Sequence, residues 1–88
     1  MPVISFFYGL IIRMHWESTG KHHVPHIHVE HAEYKIVLSL EGEVIEGSLP
    51  SSKMKLVQAW IELHKEDLKE NWKLASEGRE VFKIEPLR

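Results

Sequence analysis

The stretch that decides the fold is His26-Ile27-His28-Val29-Glu30-His31-Ala32-Glu33-Tyr34-Lys35-Ile36-Val37-Leu38-Ser39-Leu40. Residues 26–30 alternate, with Ile27 and Val29 against His26, His28 and Glu30. Successive side chains of a strand point to opposite faces, so this is the pattern of a strand with one face buried. Residues 31–33 read as a turn. Residues 34–40 alternate again, with Tyr34, Ile36, Leu38 and Leu40 against Lys35, Val37 and Ser39. Two alternating runs joined by a short polar turn predict an antiparallel hairpin.

The pattern extends to both sides. Upstream, residues 10–16 set Leu10, Ile12, Met14 and Trp16 against Ile11, Arg13 and His15, a further strand. Residues 3–8 are apolar and aromatic, which suits a buried strand ending at Gly9. A loop is expected at Ser18-Thr19-Gly20-Lys21. Downstream, Glu41-Gly42 signals a tight hairpin, and residues 43–47 form a short edge strand whose glutamates discourage further pairing. Period two then gives way to period 3.6. Met54, Val57, Trp60, Ile61, His64, Leu68, Trp72 and Ala75 recur at three- and four-residue spacing, forming one helical stripe. A serine after Pro50 is the expected N-cap and Gly78 the expected stop. Residues 81–86 form an extended segment able to dock on the core. The expected fold is a single α+β domain over residues 1–88. A small antiparallel sheet of three to five strands carries one long C-terminal helix on one face, in two layers. Trp16, Trp60 and Trp72 are the expected core anchors.

The 88 residues include no cysteine, which excludes a disulfide scaffold, a thiolate metal site and thiol catalysis. The apolar fraction of 43% and charged fraction of 27% are those of a globular protein. A net charge of −2 gives no global attraction to nucleic acid. No apolar run approaches the length of a membrane span, and the opening residues lack the basic region of a signal peptide. A cytoplasmic location without membrane partners is the expectation.

Six of the seven histidines, His15, His22, His23, His26, His28 and His31, fall between residues 15 and 31. If strand 10–16 pairs with strand 26–30, then Arg13, His15, His26, His28 and Glu30 share the sheet face turned away from the core, and Lys35 joins from the next strand. Three readings of that face stay open. The first is a solvated strand surface. The second is metal binding: His26 and His28, at i and i+2, project to one side within reach of one zinc or nickel ion, with Glu30 or His15 as a third ligand. The spacing approximates the H-x-H-x-D-H of metallo-β-lactamase-type hydrolases and the first cupin motif, but the chain is too short for the first fold and lacks the second motif of the other. The third is acid–base chemistry. Two imidazoles and a cation suffice for metal-independent RNA cleavage, one taking the 2′-hydroxyl proton and another protonating the leaving 5′-oxygen. Arg13, His15, His28 and Lys35 fit those roles. His64 stands on the helix stripe. Its meeting with His26 or His28 would favour chemistry; its separation would favour a structural role, beside Asn71 on the same stripe.

Several of these residues carry a resemblance. Pro2-Val3-Ile4-Ser5-Phe6-Phe7-Tyr8-Gly9, Ile12-Arg13-Met14, Pro25-His26-Ile27-His28-Val29-Glu30, Gly42 to Gly47, Trp60 to His64, and Asn71-Trp72 resemble a widespread family of small bacterial proteins of unknown function. Its pattern runs roughly P-x-I-S-x-F-Y-G, I-x-M, P-P-H-F-H-A-x-Y, G-x-L-P, W, H-x-x-E-L, N-W. This chain departs from it at His23 and Val24, and at His31, where an aromatic residue is usual. The resemblance implies a protein-interaction component of a toxin–antitoxin-like pair, whose partner is a small protein encoded by a neighbouring gene. Self-association is the other assembly to expect. By position it singles out Arg13, His26, His28, Glu30, His64, Asn71 and Trp72. The catalytic candidates are His26, His28, Arg13 and His64. The metal candidates, for zinc, are His26, His28 and Glu30; otherwise no cofactor is expected. RNA is a partner only under the acid–base reading.

Overall fold

Alternation along the strands sorts side chains between a helix-covered face and an open one. The computed structural model describes residues 2–16 and 24–88. Strands β1 (Val3–Phe7), β2 (Leu10–Arg13), β3 (His26–His31), β4 (Tyr34–Ser39) and β5 (Val44–Gly47) form one antiparallel meander in the order β1-β2-β3-β4-β5. Leu10, Ile12, Ile27, Val29, Ile36 and Leu38 point to the covered face and are fully or almost fully buried. They meet Val57, Trp60, Ile61 and Leu68 of the helical layer, with Phe7 stacked obliquely 5.5 Å from Trp60. Burying each such side chain contributes about 1.5–3 kcal/mol. The α+β class and the antiparallel sheet are as the alternation predicts. The loop expected at 18–21, with His22 and His23, lies outside the described residues.

The helical layer is two helices, α1 (Ser51–Leu63) and α2 (Lys65–Ser76), and not the single helix expected from the stripe. The break is at His64, whose φ of −121° and ψ of 27° leave the helical region. Its N–H is shared between the carbonyls of Trp60 and Ile61. Glu66 and Asp67 then occupy the first turn of α2, where acidic side chains favour a helix N-terminus. The N-cap also differs from expectation. Pro50 holds that place, its carbonyl taking the N–H of Lys53 and Met54, and no serine side chain caps the helix. Gly78 does end α2. Its φ is 72°, and the bonds Arg79 N–H to Leu74 and Gly78 N–H to Ala75 form a Schellman motif.

The connections show why these turns form. Tyr8 and Gly9 both have positive φ (49° and 77°), as a two-residue type I′ hairpin requires between Phe7 and Leu10. A bulge between Val3 and Ser5 leaves Ile4 and Ser5 both buried; beyond it Phe6, opposite Ile11, turns outward and is 61% exposed, where a buried strand was expected. Between β4 and β5 the tight hairpin expected at Glu41-Gly42 is a longer loop. The Ser39 hydroxyl accepts the N–H of Glu41 and Glu43 there, and Gln58 donates to the Gly42 carbonyl. Trp16, expected in the core, is 42% exposed, and Trp72 is half-buried.

After α2 the chain returns as an extended strap. Asn71, fully buried, donates to and accepts from the main chain of Phe82. The Trp60 indole donates to the Glu85 carbonyl, and Ile84 N–H donates to Ile4 on β1 at 2.7 Å. Ile84 enters the core at 4% exposure. Docking of residues 81–86 is thus as expected, and Asn71 finds its partner in this strap, not in His64.

Candidate functional site

Register brings the sequence candidates onto the open face of the sheet. Arg13 lies opposite His28, and Glu30 is flanked by Ile11 on one side and Lys35 on the other. The Arg13 guanidinium reaches diagonally to Glu30, Nε to Oε1 at 3.5 Å, with both side chains about one-third exposed. His15 continues β2 past its last paired residue and stacks on His28, ring centroids 5.3 Å apart and planes 29° from parallel. His26 meets His28 edge-on at 5.2 Å. Arg13, His15, His26 and His28 therefore form one contiguous group. A depression of about 270 Å³ beside it is lined by His28, Glu30, Lys35, Val37 and Glu46.

Two members differ from expectation. His26 was expected on a solvated face but is only 5% exposed. Its Nδ1 lies 2.7 Å from the Val24 carbonyl, and its ring packs 5.2 Å from Trp72 of α2. The helical layer thus reaches the start of β3 through Trp72. The imidazole packs between the Trp72 and His28 rings.

His64 is the second. Its ring lies 5.6 Å from the Trp60 ring, with Nδ1 3.9 Å from Asp67. No hydrogen bond joins it to His26 or His28, so of the four catalytic candidates Arg13, His26 and His28 come together while His64 makes its contacts with Trp60 and Asp67. The metal set fares similarly. Among the described residues no three of His, Asp and Glu come together so as to hold a metal ion, so His26, His28 and Glu30 do not form the expected trio. On a strand, His26 and Glu30 are four residues apart, too far to close on one ion without help from a bend.

The open face is not the only exposed feature. The β1–β2 turn projects Phe6 and Tyr8, 61% and 55% exposed, at one end of the sheet. This tip is held from two directions. Lys53 of α1 donates to the Tyr8 carbonyl at 3.0 Å, and His31 Nδ1 lies 3.0 Å from the Gly9 carbonyl. Gly9 is required twice over, by its φ and because a Cβ there would sit 3.2 Å from the His31 ring. Sequence reading missed this pair. Its signal was the run Phe6-Phe7-Tyr8-Gly9: alternation must push one phenylalanine outward, and glycine as the second turn residue leaves Tyr8 at the tip.

No helix among the described residues is long and apolar enough to cross a membrane. No curated protein and no solved structure matches the chain. A family model, that of a domain of unknown function designated DUF4160, matches residues 9–73, from the glycine of the first turn to the segment of α2 that carries Trp72. That span takes in the histidine group, the broken helix and most of the core, and by it the chain belongs to the DUF4160 family.

Proposed function

We propose that this protein is a binding module, the interaction component of a two-protein pair of the toxin–antitoxin kind. The observation that carries this reading is the pinned β1–β2 tip. Phe6 and Tyr8 are large and exposed, and the turn that carries them is held by Lys53 of α1 at the Tyr8 carbonyl and by His31 of β3 at the Gly9 carbonyl. Exposed aromatic residues on a rigid support make good interface anchors, since little conformational freedom is lost on binding. The separation of His64 from His26 and His28 argues in the same direction. Co-expression with the small protein encoded by the neighbouring gene tests the proposal. A complex that co-purifies from the wild type, and weakens when Tyr8 and Phe6 are both changed to alanine, is the expected result. Failure of the wild type to form any complex would end it.

A second reading has one observation in its favour. His15 and His28 are stacked, with Arg13 opposite His28 and Lys35 on the next strand. This is a pair of imidazoles with a nearby cation, the minimum for acid–base cleavage of RNA. Incubation of purified protein with single-stranded RNA addresses it. Cleavage lost on His28→Ala and on Arg13→Ala would support it; cleavage that survives both, or is absent from the wild type, would remove it.

A further inference from the structure

The two rims of the sheet are finished differently. β5 is short and irregular, with a register shift between Val37 and Leu38, and Glu43 and Glu46 stand on or beside it. Charge and irregularity are the usual protections of an edge strand. β1 shares the irregularity, with a bulge between Val3 and Ser5, but not the charge. Its five residues, Val3-Ile4-Ser5-Phe6-Phe7, carry no charge and no proline, and apolar and aromatic residues favour strand pairing.

The rim is also only partly used. In an antiparallel ladder, alternate residues turn both their N–H and C=O outward. Phe7 and Leu10 close the two-residue hairpin, so Phe7 bonds inward and its neighbour Phe6 faces out. The strap takes the outward carbonyl of Ile4 through Ile84 N–H and makes no bond to the main chain of Phe6. Between rim and strap runs a groove of about 280 Å³, with Ile4 and Phe6 on one wall and Lys83, Glu85 and Pro86 on the other. The Glu85 carboxylate is occupied by Arg88 at 2.7 Å. Lys83 has no ion pair among the described residues, so the groove presents one uncompensated positive charge beside apolar walls.

We infer that this groove receives an extended segment of a partner protein as an added edge strand, its main chain pairing with Phe6 and an acidic side chain meeting Lys83. Main-chain pairing supplies affinity in such strand addition, and the side-chain contacts supply selectivity. A second copy of this chain is the poorer occupant: two β1 strands brought edge to edge carry two Lys83 ammonium groups, and the acidic residue lining each groove, Glu85, is already paired with its own Arg88. The inference rests on the binding-module reading and places the partner's main chain beside the aromatic tip.

Hydrogen–deuterium exchange on the full chain tests it, alone and with the purified product of the neighbouring gene. The expected result is new protection of amides in residues 3–7 in the complex, with binding weakened about tenfold or more by Lys83→Glu and kept by Lys83→Arg. Lys83 is exposed, so these variants leave the core intact. A complex that forms while residues 3–7 exchange as before, or that ignores Lys83→Glu, overturns this inference and leaves the binding-module reading standing. Protection that grows with the protein's own concentration points to a second copy and also overturns it. No complex at all removes both.

Discussion

The Asn71 carboxamide grips the main chain of Phe82 at both ends, donating to its carbonyl at 2.8 Å and accepting its N–H at 2.9 Å. A fully buried amide so engaged has its strong groups satisfied, and the strap is fixed in register with α2. Asn71→Ala removes both bonds at once. It should cost about 2–3 kcal/mol of unfolding free energy in urea. Amides of residues 81–86 should exchange faster well before the sheet does. Unchanged exchange in the strap would show that Ile84 alone holds it.

Gly47 is opposite Ile36, with a φ of 86°, and a Cβ there would run into the Lys35 carbonyl oxygen. Gly47→Ala is expected to cost at least ~3 kcal/mol, since the obstruction is backbone and cannot rotate away. Gly78→Ala has open space around it and only its φ of 72° to oppose it, so about 1 kcal/mol is expected. Thermal melts of the two variants should therefore differ widely.

Tyr8 occupies a left-handed position that a bulky side chain rarely adopts. Tyr8→Asn keeps the turn, and with Gly9 makes the preferred Asn-Gly pair for a type I′ hairpin. Stability should rise by about 1 kcal/mol. Partner binding should fall at the same time. A variant that is both more stable and a better binder would contradict a role for the tyrosine ring in the interface.

His26→Ala removes a ring from a nearly closed site between Trp72 and His28. It should lower stability by about 2 kcal/mol or more. His64→Ala, at a half-buried position on the helix break, should cost less than half as much. Comparing the two melting temperatures separates packing from chemistry before any activity assay on His26 is interpreted.

The hydrogen bond and charge of Arg88 hold the Glu85 carboxyl below its ordinary range. A carboxyl depressed in the folded state makes its contribution above the unfolded-state value and loses it as pH falls through the folded one. Arg88→Ala should return the Glu85 titration upward, followed through the side-chain carboxyl carbon by NMR. No movement would mean that the pair does not persist in solution.

The sheet was legible because alternation is a strong signal where one face is buried. Ile27 and Val29 against His26 and His28, or Ile36 and Leu38 against Lys35, leave only one register in which the apolar set is covered. The break at His64 was harder to see. The apolar stripe runs on through it from Ile61 to Leu68, and only the acidic pair Glu66 and Asp67, placed as in a first turn, marked a new start. The location of His26 could not be read from its strand at all. Alternation gives the face of a side chain but not what crosses over it, and Trp72 lies 46 positions further along. Pairing of β2 with β3 did give the grouping of Arg13, His15 and His28 in advance. The place of His64 depended on the angle at which a helix meets a sheet, which no local pattern encodes.

The bond between Ile84 and Ile4 joins positions 80 apart in the sequence. This has a consequence for synthesis from the N-terminus. A nascent chain that has reached Gly78 holds all five strands and both helices. It still leaves the Trp60 indole and the Asn71 amide without their acceptors, and the place of Ile84 in the core unfilled. The tertiary structure therefore closes late, after its regular elements exist, and until then the same β1 rim that the strap tethers at Ile4 stands open along its length to whatever strand arrives first.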